Sequence, residues 1–196
     1  MDFADVLRRR RAVRNYLPEP VPHETIERIV ERARRVPSGG FSQGLRLVVV
    51  TEESTRLALA ELAGEAEYVA RGFEPWISRA PVHVVVCTRE EDYHDRYREP
   101  DKLRDDGTEI AWPVPYWWVD AGAAMMLLLL AAVDEGLGAG MFGVLDWAPV
   151  KELLGVPADV APVVVVTIGK PAPEPRYGSA ARGQKPLEEV LRWEEW

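Results

Sequence analysis

The run Arg8-Arg9-Arg10-Arg11-Ala12-Val13-Arg14-Asn15-Tyr16 gathers five arginines into one short segment. Each guanidinium is a planar fork of donors that can bind two oxygens of one anion, so the group suits a phosphate. A second segment, Pro37-Ser38-Gly39-Gly40-Phe41-Ser42-Gln43-Gly44-Leu45-Arg46, offers glycine-loosened backbone and small hydroxyls just ahead of an apolar run. Fixed cations beside open backbone point to a ligand that is anionic and planar. A run of like charge also reads as a solvated helix face or as a basic arm for nucleic acid.

The chain as a whole speaks against the nucleic-acid reading. Its net charge is -8 and its pI is near 5.0, whereas a duplex binder carries a basic balance over its domain. The cations are therefore read as local, serving a small anion. The 196 residues fit a single domain over 1–196, or one subunit of an oligomer, with 47% apolar and 29% charged residues. One cysteine, Cys87, supports neither a disulfide framework nor a metal cluster and favours a reducing, cytoplasmic compartment. The start Met1-Asp2-Phe3-Ala4-Asp5 lacks the pattern of a signal peptide. The longest apolar stretch, Ala121 to Val133, is too short to span a bilayer, and no membrane partner is expected.

The elements that must position these segments alternate between helix and strand. Asp2 to Arg11 reads as a helix with Phe3, Val6 and Leu7 on one face. A clearer helix covers residues 22–36, with Ile26, Ile29, Val30 and Ala33 at helical spacing, and Pro37 with Gly39-Gly40 stops it. Strands are expected at Leu45–Val50, Val82–Thr88 and Val163–Ile168, and helices at 54–63 and 67–79. Residues 119–135 are apolar almost all round, the pattern of a helix at the centre of a core or at a subunit interface. Asp146 is placed to cap a further helix, with Pro149 in its first turn and Leu153-Leu154 on its buried side.

Two segments break the pattern. Residues 89–118 form a charged insertion ending Trp112-Pro113-Val114-Pro115-Tyr116-Trp117-Trp118, and a long irregular insertion in a compact domain is usually functional or mobile. Its aromatics suit a pocket for a flat substrate, a partner-subunit contact, or an anchor to the core. Gly136-Leu137-Gly138-Ala139-Gly140-Met141-Phe142-Gly143 superficially matches a dinucleotide fingerprint, but a helix precedes it and a strand follows, the reverse of what that motif needs. Its glycines mark a helix C-cap and a close backbone approach to a ligand or neighbour. After Gly169 the chain is extended and proline-rich, an arm expected to wrap a partner chain.

The order of these features resembles the nitroreductase family of FMN-dependent oxidoreductases. The resemblance rests on Arg10-Arg11-Ala12-Val13-Arg14-Asn15-Tyr16, Pro37-Ser38-Gly39-Gly40-Phe41-Ser42-Gln43, Asp120-Ala121-Gly122-Ala123-Ala124-Met125, Gly136-Leu137-Gly138, and Gly169-Lys170-Pro171 with Pro186-Leu187-Glu188-Glu189, spanning nearly the whole chain. It implies an α+β fold: a central mixed β-sheet flanked by helices as a three-layer sandwich, forming an intertwined homodimer with an extended C-terminal arm at about 170–196. It implies an FMN at each subunit interface and NAD(P)H as electron donor.

Carried onto this chain, Arg10, Arg11, Ala12 and Arg14 would line the cofactor, the arginines holding the phosphate and the polar edge of the flavin. Pro37, Ser38, Gly39, Phe41 and Gln43 would come from the other subunit. Met141, Phe142 and Gly143 would lie along the ring, with a backbone N–H near its reactive nitrogen. Arg182, with Gln184 or Lys185, would complete the phosphate site. Phe41, Trp112, Tyr116 and Trp117 would line the substrate pocket under the 89–118 lid. No metal and no catalytic side chain is expected, because the flavin carries the chemistry. The implied activity is ping-pong hydride transfer from NAD(P)H to an electron-poor acceptor such as a nitroaromatic or quinone.

Three departures from the family pattern stand out: Ala12 where Ser is usual, Phe41 where Asn is common, and Gly44-Leu45 in place of Pro-Trp. They leave room for a specialised flavin reaction such as heterocycle dehydrogenation, reductive dehalogenation or flavin processing. A flavin-binding module without turnover is the alternative outside enzymology.

Overall fold

A computed structural model describes residues 1–173 and 182–196. The elements run α1 (Phe3–Arg9), α2 (His23–Ala33), β1 (Leu45–Val50), α3 (Glu53–Leu62), α4 (Glu65–Ala70), β2 (Val82–Thr88), α5 (Glu91–Tyr97), α6 (Tyr116–Asp134), β3 (Gly138–Phe142), α7 (Ala148–Leu154), β4 (Ala161–Gly169) and α8 (Leu187–Val190). The four strands form one sheet in the order β1-β2-β4-β3.

The valine-rich β2 explains the layering. Every residue of it is buried, as a strand covered on both faces requires. Val82, Val84 and Val86 share one core with Ile26 and Ile29 of α2 and with Ala121 and Leu128 of α6. Val85 and Cys87 belong to a second core with Ala60 of α3, Trp76, Phe142 and Val165. The sheet thus lies between α2 and α6 on one side and α3 and α7 on the other. Wholly buried side chains such as Ile29, Leu128 and Ile168 each contribute about 1.5–3 kcal/mol on leaving water.

All three strand pairs are antiparallel. Among the described residues, the parallel component of the expected mixed sheet is confined to one bridge, Ala12–Ala139, outside the named strands. The strands at Leu45–Val50 and Val82–Thr88 fall at the expected bounds, and a short strand forms at Gly138–Phe142.

Two expected elements differ. The helix read at 67–79 stops at Ala70, because Gly72 takes a positive φ of 86° and Pro75 follows. The buried Glu65 carboxylate then fixes the next stretch, accepting the Ile77 N–H at 2.5 Å and the Ser78 N–H at 3.2 Å. The insertion at 89–118 is not irregular throughout: α5 occupies its start, and α6 begins at Tyr116. The charged sequence of α5 hid it, since only Tyr93 and Tyr97, four residues apart, carry the inward face.

Helix α6 is long and apolar enough to cross a membrane, judged by length and composition. It lies instead against the sheet, with Ala121, Ala124, Leu128 and Ala132 buried, while Trp118, Val119 and Met126 remain exposed. The arm expected at 170–196 is described at its two ends. Residues 174–181 lie outside the described residues, and 182–196 are exposed.

Candidate functional site

The basic segment is fixed to the sheet edge. Helix α1 ends with the Arg10 N–H bonded to the Val6 carbonyl at 2.9 Å, after which the backbone extends. Val13 donates its N–H to the Ala139 carbonyl at 3.0 Å. Val13 is buried, whereas Ala12 and Arg14 on either side are exposed, as strand alternation dictates. The Tyr16 hydroxyl lies 3.0 Å from the Val13 carbonyl and 2.7 Å from the Thr167 hydroxyl. The Leu17 N–H reaches the Lys170 carbonyl at 2.9 Å, and the Ala172 N–H the Asn15 carbonyl at 3.0 Å. The Arg14 guanidinium sits over the Trp76 ring, 5.8 Å from its centre. The backbone that carries Arg10, Arg11 and Arg14 is therefore tied to the sheet edge.

The glycines of β3 permit this attachment. A β-carbon on Gly140 would collide with the Val13 carbonyl, and one on Gly138 would meet Val13 Cγ2 at 2.8 Å. The neighbour that approaches closely is thus the basic segment. Beyond it, Met141 is 48% exposed and Gly143 has open space around its α-carbon. Phe142 turns inward, edge-on to Trp76 and His83, so backbone is what it can offer a ligand.

The loop after α2 is held in an unusual conformation. Gly40, Phe41 and Gln43 have φ of 60°, 61° and 56°. For the two non-glycine residues this left-handed region costs about 1–2 kcal/mol each. Several contacts hold the loop there. Asp120 Oδ2 accepts the Gly39 N–H at 3.0 Å and the Tyr93 hydroxyl at 2.7 Å. Ser38 Oγ accepts the Gln43 N–H at 3.0 Å, and Arg96 Nε donates to the Gly40 carbonyl at 3.0 Å. The result leaves Pro37 and Gln43 exposed and Phe41 73% exposed.

Gly44 also finds its reason here. A β-carbon at this position would lie 2.5 Å from Tyr93 Cε2 and 2.8 Å from the Arg89 carbonyl. The Tyr93 ring excludes a proline.

Residues 98–115 are strapped onto α5. Glu109 Oε1 lies 2.6 Å from both His94 Nδ1 and Trp112 Nε1, and Glu109 Oε2 lies 3.3 Å from Arg98. The Glu109 and Glu90 carboxylates raise the His94 pKa above its usual value, Glu109 foremost. Burial, with the bond to Asp120 next in weight, pushes the Tyr93 phenol upward. Arg96 grips Asp101 with two 2.8 Å bonds. Trp112 packs edge-on to Tyr97 at 4.6 Å, and Trp117 is buried beside Tyr93, His94 and Trp112. Of the aromatics expected in a pocket, Trp112 and Trp117 join this anchoring cluster, while Tyr116 is 46% exposed.

The two halves of the expected site do not meet. The Arg10–Arg14 segment lies outside β3, and the Ser38–Gln43 loop leads into β1, the opposite edge of the sheet. At roughly 4.8 Å per strand, the three intervening gaps alone separate them by about 14 Å. Arg182, Gln184 and Lys185 are exposed on the C-terminal stretch.

The sequence reading missed Tyr93, Arg96 and Asp120 as organisers of the loop. The two tyrosines four apart are the available signal for α5, and Asp120 opens the Asp120–Met125 segment of α6. His83 is structural: its Nε2 pairs with the Ile77 carbonyl at 2.8 Å, and burial lowers its pKa to about 4. Burial likewise raises Cys87 to about 11, leaving an inert thiol.

The chain is similar to known proteins. The model of the Nitroreductase family matches residues 7–170. FMN reductase [NAD(P)H] of Bacillus subtilis is 31% identical over 185 residues, covering 92% of this chain and 68% of that protein. A protein named NADH dehydrogenase from Thermus thermophilus is 28% identical, covering 98% and 96%. In structure, NfrA1 of B. megaterium superposes with a TM-score of 0.78 over 100% of this chain and 75% of its own, at 24% identity.

Proposed function

The chain belongs to the nitroreductase family, and from that premise we propose that it is a homodimeric enzyme that uses FMN and NAD(P)H to reduce electron-poor acceptors such as nitroaromatics and quinones. The observation that carries this reading is the separation of the two site halves on opposite edges of one sheet. A second copy brings the Ser38–Gln43 loop of one protomer to the arginine edge of the other.

The residues present fit such a cofactor. Arg10, Arg11 and Arg14 supply cations on a fixed backbone, suited to a phosphate and to the polar rim of a flavin. Open space at Gly143 and the exposed Met141 leave a flat surface beside β3. Ala12 adds no hydroxyl, so a polar contact worth about 1 kcal/mol is given up there. Ser38 accepts a hydrogen bond within its own loop and keeps its proton to donate to a ligand. Gly39 has its N–H committed to Asp120. When bound, FMN supplies hydride chemistry between NAD(P)H and the acceptor.

Dimerisation also accounts for apolar surface left without cover. Phe3 and Leu7 of α1, Val119 and Met126 of α6, and Trp193 and Trp196 of the C-terminal stretch are all exposed. The single buried thiol, Cys87, suits a cytoplasmic setting.

The test is a titration of FMN into the wild-type protein and into Arg10→Ala. The reading expects saturable binding that the substitution weakens at least tenfold. Equal binding by both proteins, or none by the wild type, contradicts it.

A further inference from the structure

The loop that presents Phe41 is strained, and strain of this kind persists only where the surroundings over-determine it. Phe41 and Gln43 both adopt positive φ. Within the loop, the Ser42 hydroxyl donates to the Gly39 carbonyl at 2.6 Å and the Gln43 N–H to Ser38 Oγ. These bonds are internal and do not fix where the loop sits on the fold. That placement comes from α5 and α6.

One oxygen is central. Asp120 Oδ2, in the first turns of α6, accepts from the Gly39 backbone and from Tyr93 of α5. The Tyr93 ring fills the space beside Gly44, and the Tyr97 ring comes within 2.6 Å of where a β-carbon on Gly40 would be. Tyr93 thus touches the loop on one side and shares its hydroxyl with the acid that holds the other. The Asp120 side chain has no cation among its described partners. Its recorded hydrogen bonds go to a loop amide and a phenol, an arrangement suited to fixing geometry.

We infer that Asp120 is a positioning residue that, with Tyr93 as its partner, sets the Ser38–Gln43 loop in the conformation that receives the flavin. This rests on the proposed flavin site. Asp120 acts through the loop backbone, and its effect is read there and in cofactor affinity.

The experiment compares wild type, Asp120→Ala, Asp120→Asn and Tyr93→Phe. Amide hydrogen exchange of residues 38–44 is measured on the flavin-free protein, followed by FMN titration of each. Asp120→Ala is expected to speed exchange at Gly39 at least tenfold and to weaken FMN binding at least tenfold. Asp120→Asn keeps an acceptor oxygen and should stay within about threefold of wild type in both, since one carbonyl oxygen can accept two donors. Tyr93→Phe removes one hydroxyl and keeps the ring, so it tests the pair if Asp120→Ala fails to fold; a rise in Gly39 exchange of at least threefold is expected.

Unchanged exchange in Tyr93→Phe together with unchanged exchange in Asp120→Ala, or with its failure to fold, overturns the inference. Faster exchange with unaltered FMN affinity overturns the link to the cofactor. Failure of the wild type to bind FMN would refute the flavin reading instead, while the exchange data still report on whether Asp120 holds the loop.

Discussion

Val13 and Gly140 are in backbone contact: the Val13 carbonyl occupies the space that a β-carbon on Gly140 would need. Through this contact the arginine segment becomes an added edge of the sheet. Gly140→Ala should therefore push the segment off β3. Overpacking of this kind costs about 1–3 kcal/mol, so the expected outcome is a lower Tm together with weaker FMN binding. Calorimetry and flavin titration check it, and an unchanged Tm would show that the edge yields without strain.

The strap over α5 should respond to pH. The Glu109 carboxylate holds the His94 pKa above its ordinary 6.5, and Glu109 itself is held below its ordinary 4.5. His94 contributes stability that is complete below pH 6.5 and is lost as pH rises through its raised folded value. Glu109 contributes stability above 4.5 that is lost on acidification. Exchange protection of residues 98–115 should accordingly be greatest between these limits and fall on the alkaline side. His94→Gln should remove the alkaline step. A step of equal size in the variant would assign it to another group.

His83 sets a different pH dependence. Its folded pKa of about 4 lies below the ordinary 6.5, so the unfolded chain binds the proton more readily. Stability should decline as pH falls from 6.5 towards 4. The full shift corresponds to about 3 kcal/mol, at 1.36 kcal/mol per pKa unit. Urea unfolding across this range should show the slope in the wild type and a shallower one in His83→Leu; identical slopes would contradict the assignment.

The exposed stripe on α6 gives a test of assembly. Val119 and Met126 are seven residues apart, hence on one helix face, and both are open to solvent in the protomer. Val119→Glu with Met126→Glu should convert the proposed dimer to a monomer in analytical ultracentrifugation and reduce FMN affinity with it, while far-ultraviolet circular dichroism stays near wild type. A doubly substituted protein that remains dimeric would place the interface elsewhere.

Much of the fold could be read from the residues themselves. Valine-rich runs marked β1 and β2, and β2, buried on both faces, has no charged position to blur it. The spacing of Ile26, Ile29 and Ala33 marked α2 in the same way. The chain hid α5, whose surface is nearly all charge, and the course of the segment after Ala70, which is fixed by a buried acid twelve residues from its partner Ile77. At the site, the arginine run and the glycine loop were visible as residue types. Their placement on opposite edges was not, because it follows from strand order. Tyr93, Arg96 and Asp120 act through contacts across 27 to 81 positions of sequence, which local pattern does not report.

The most direct test of the central claim is the visible absorption spectrum of the purified protein loaded with FMN, recorded before and after anaerobic addition of NADH and of NADPH. A flavin band that bleaches with either nucleotide and returns on adding a quinone or nitroaromatic is the predicted result. A band that persists after both nucleotides would contradict the proposed NAD(P)H-dependent activity.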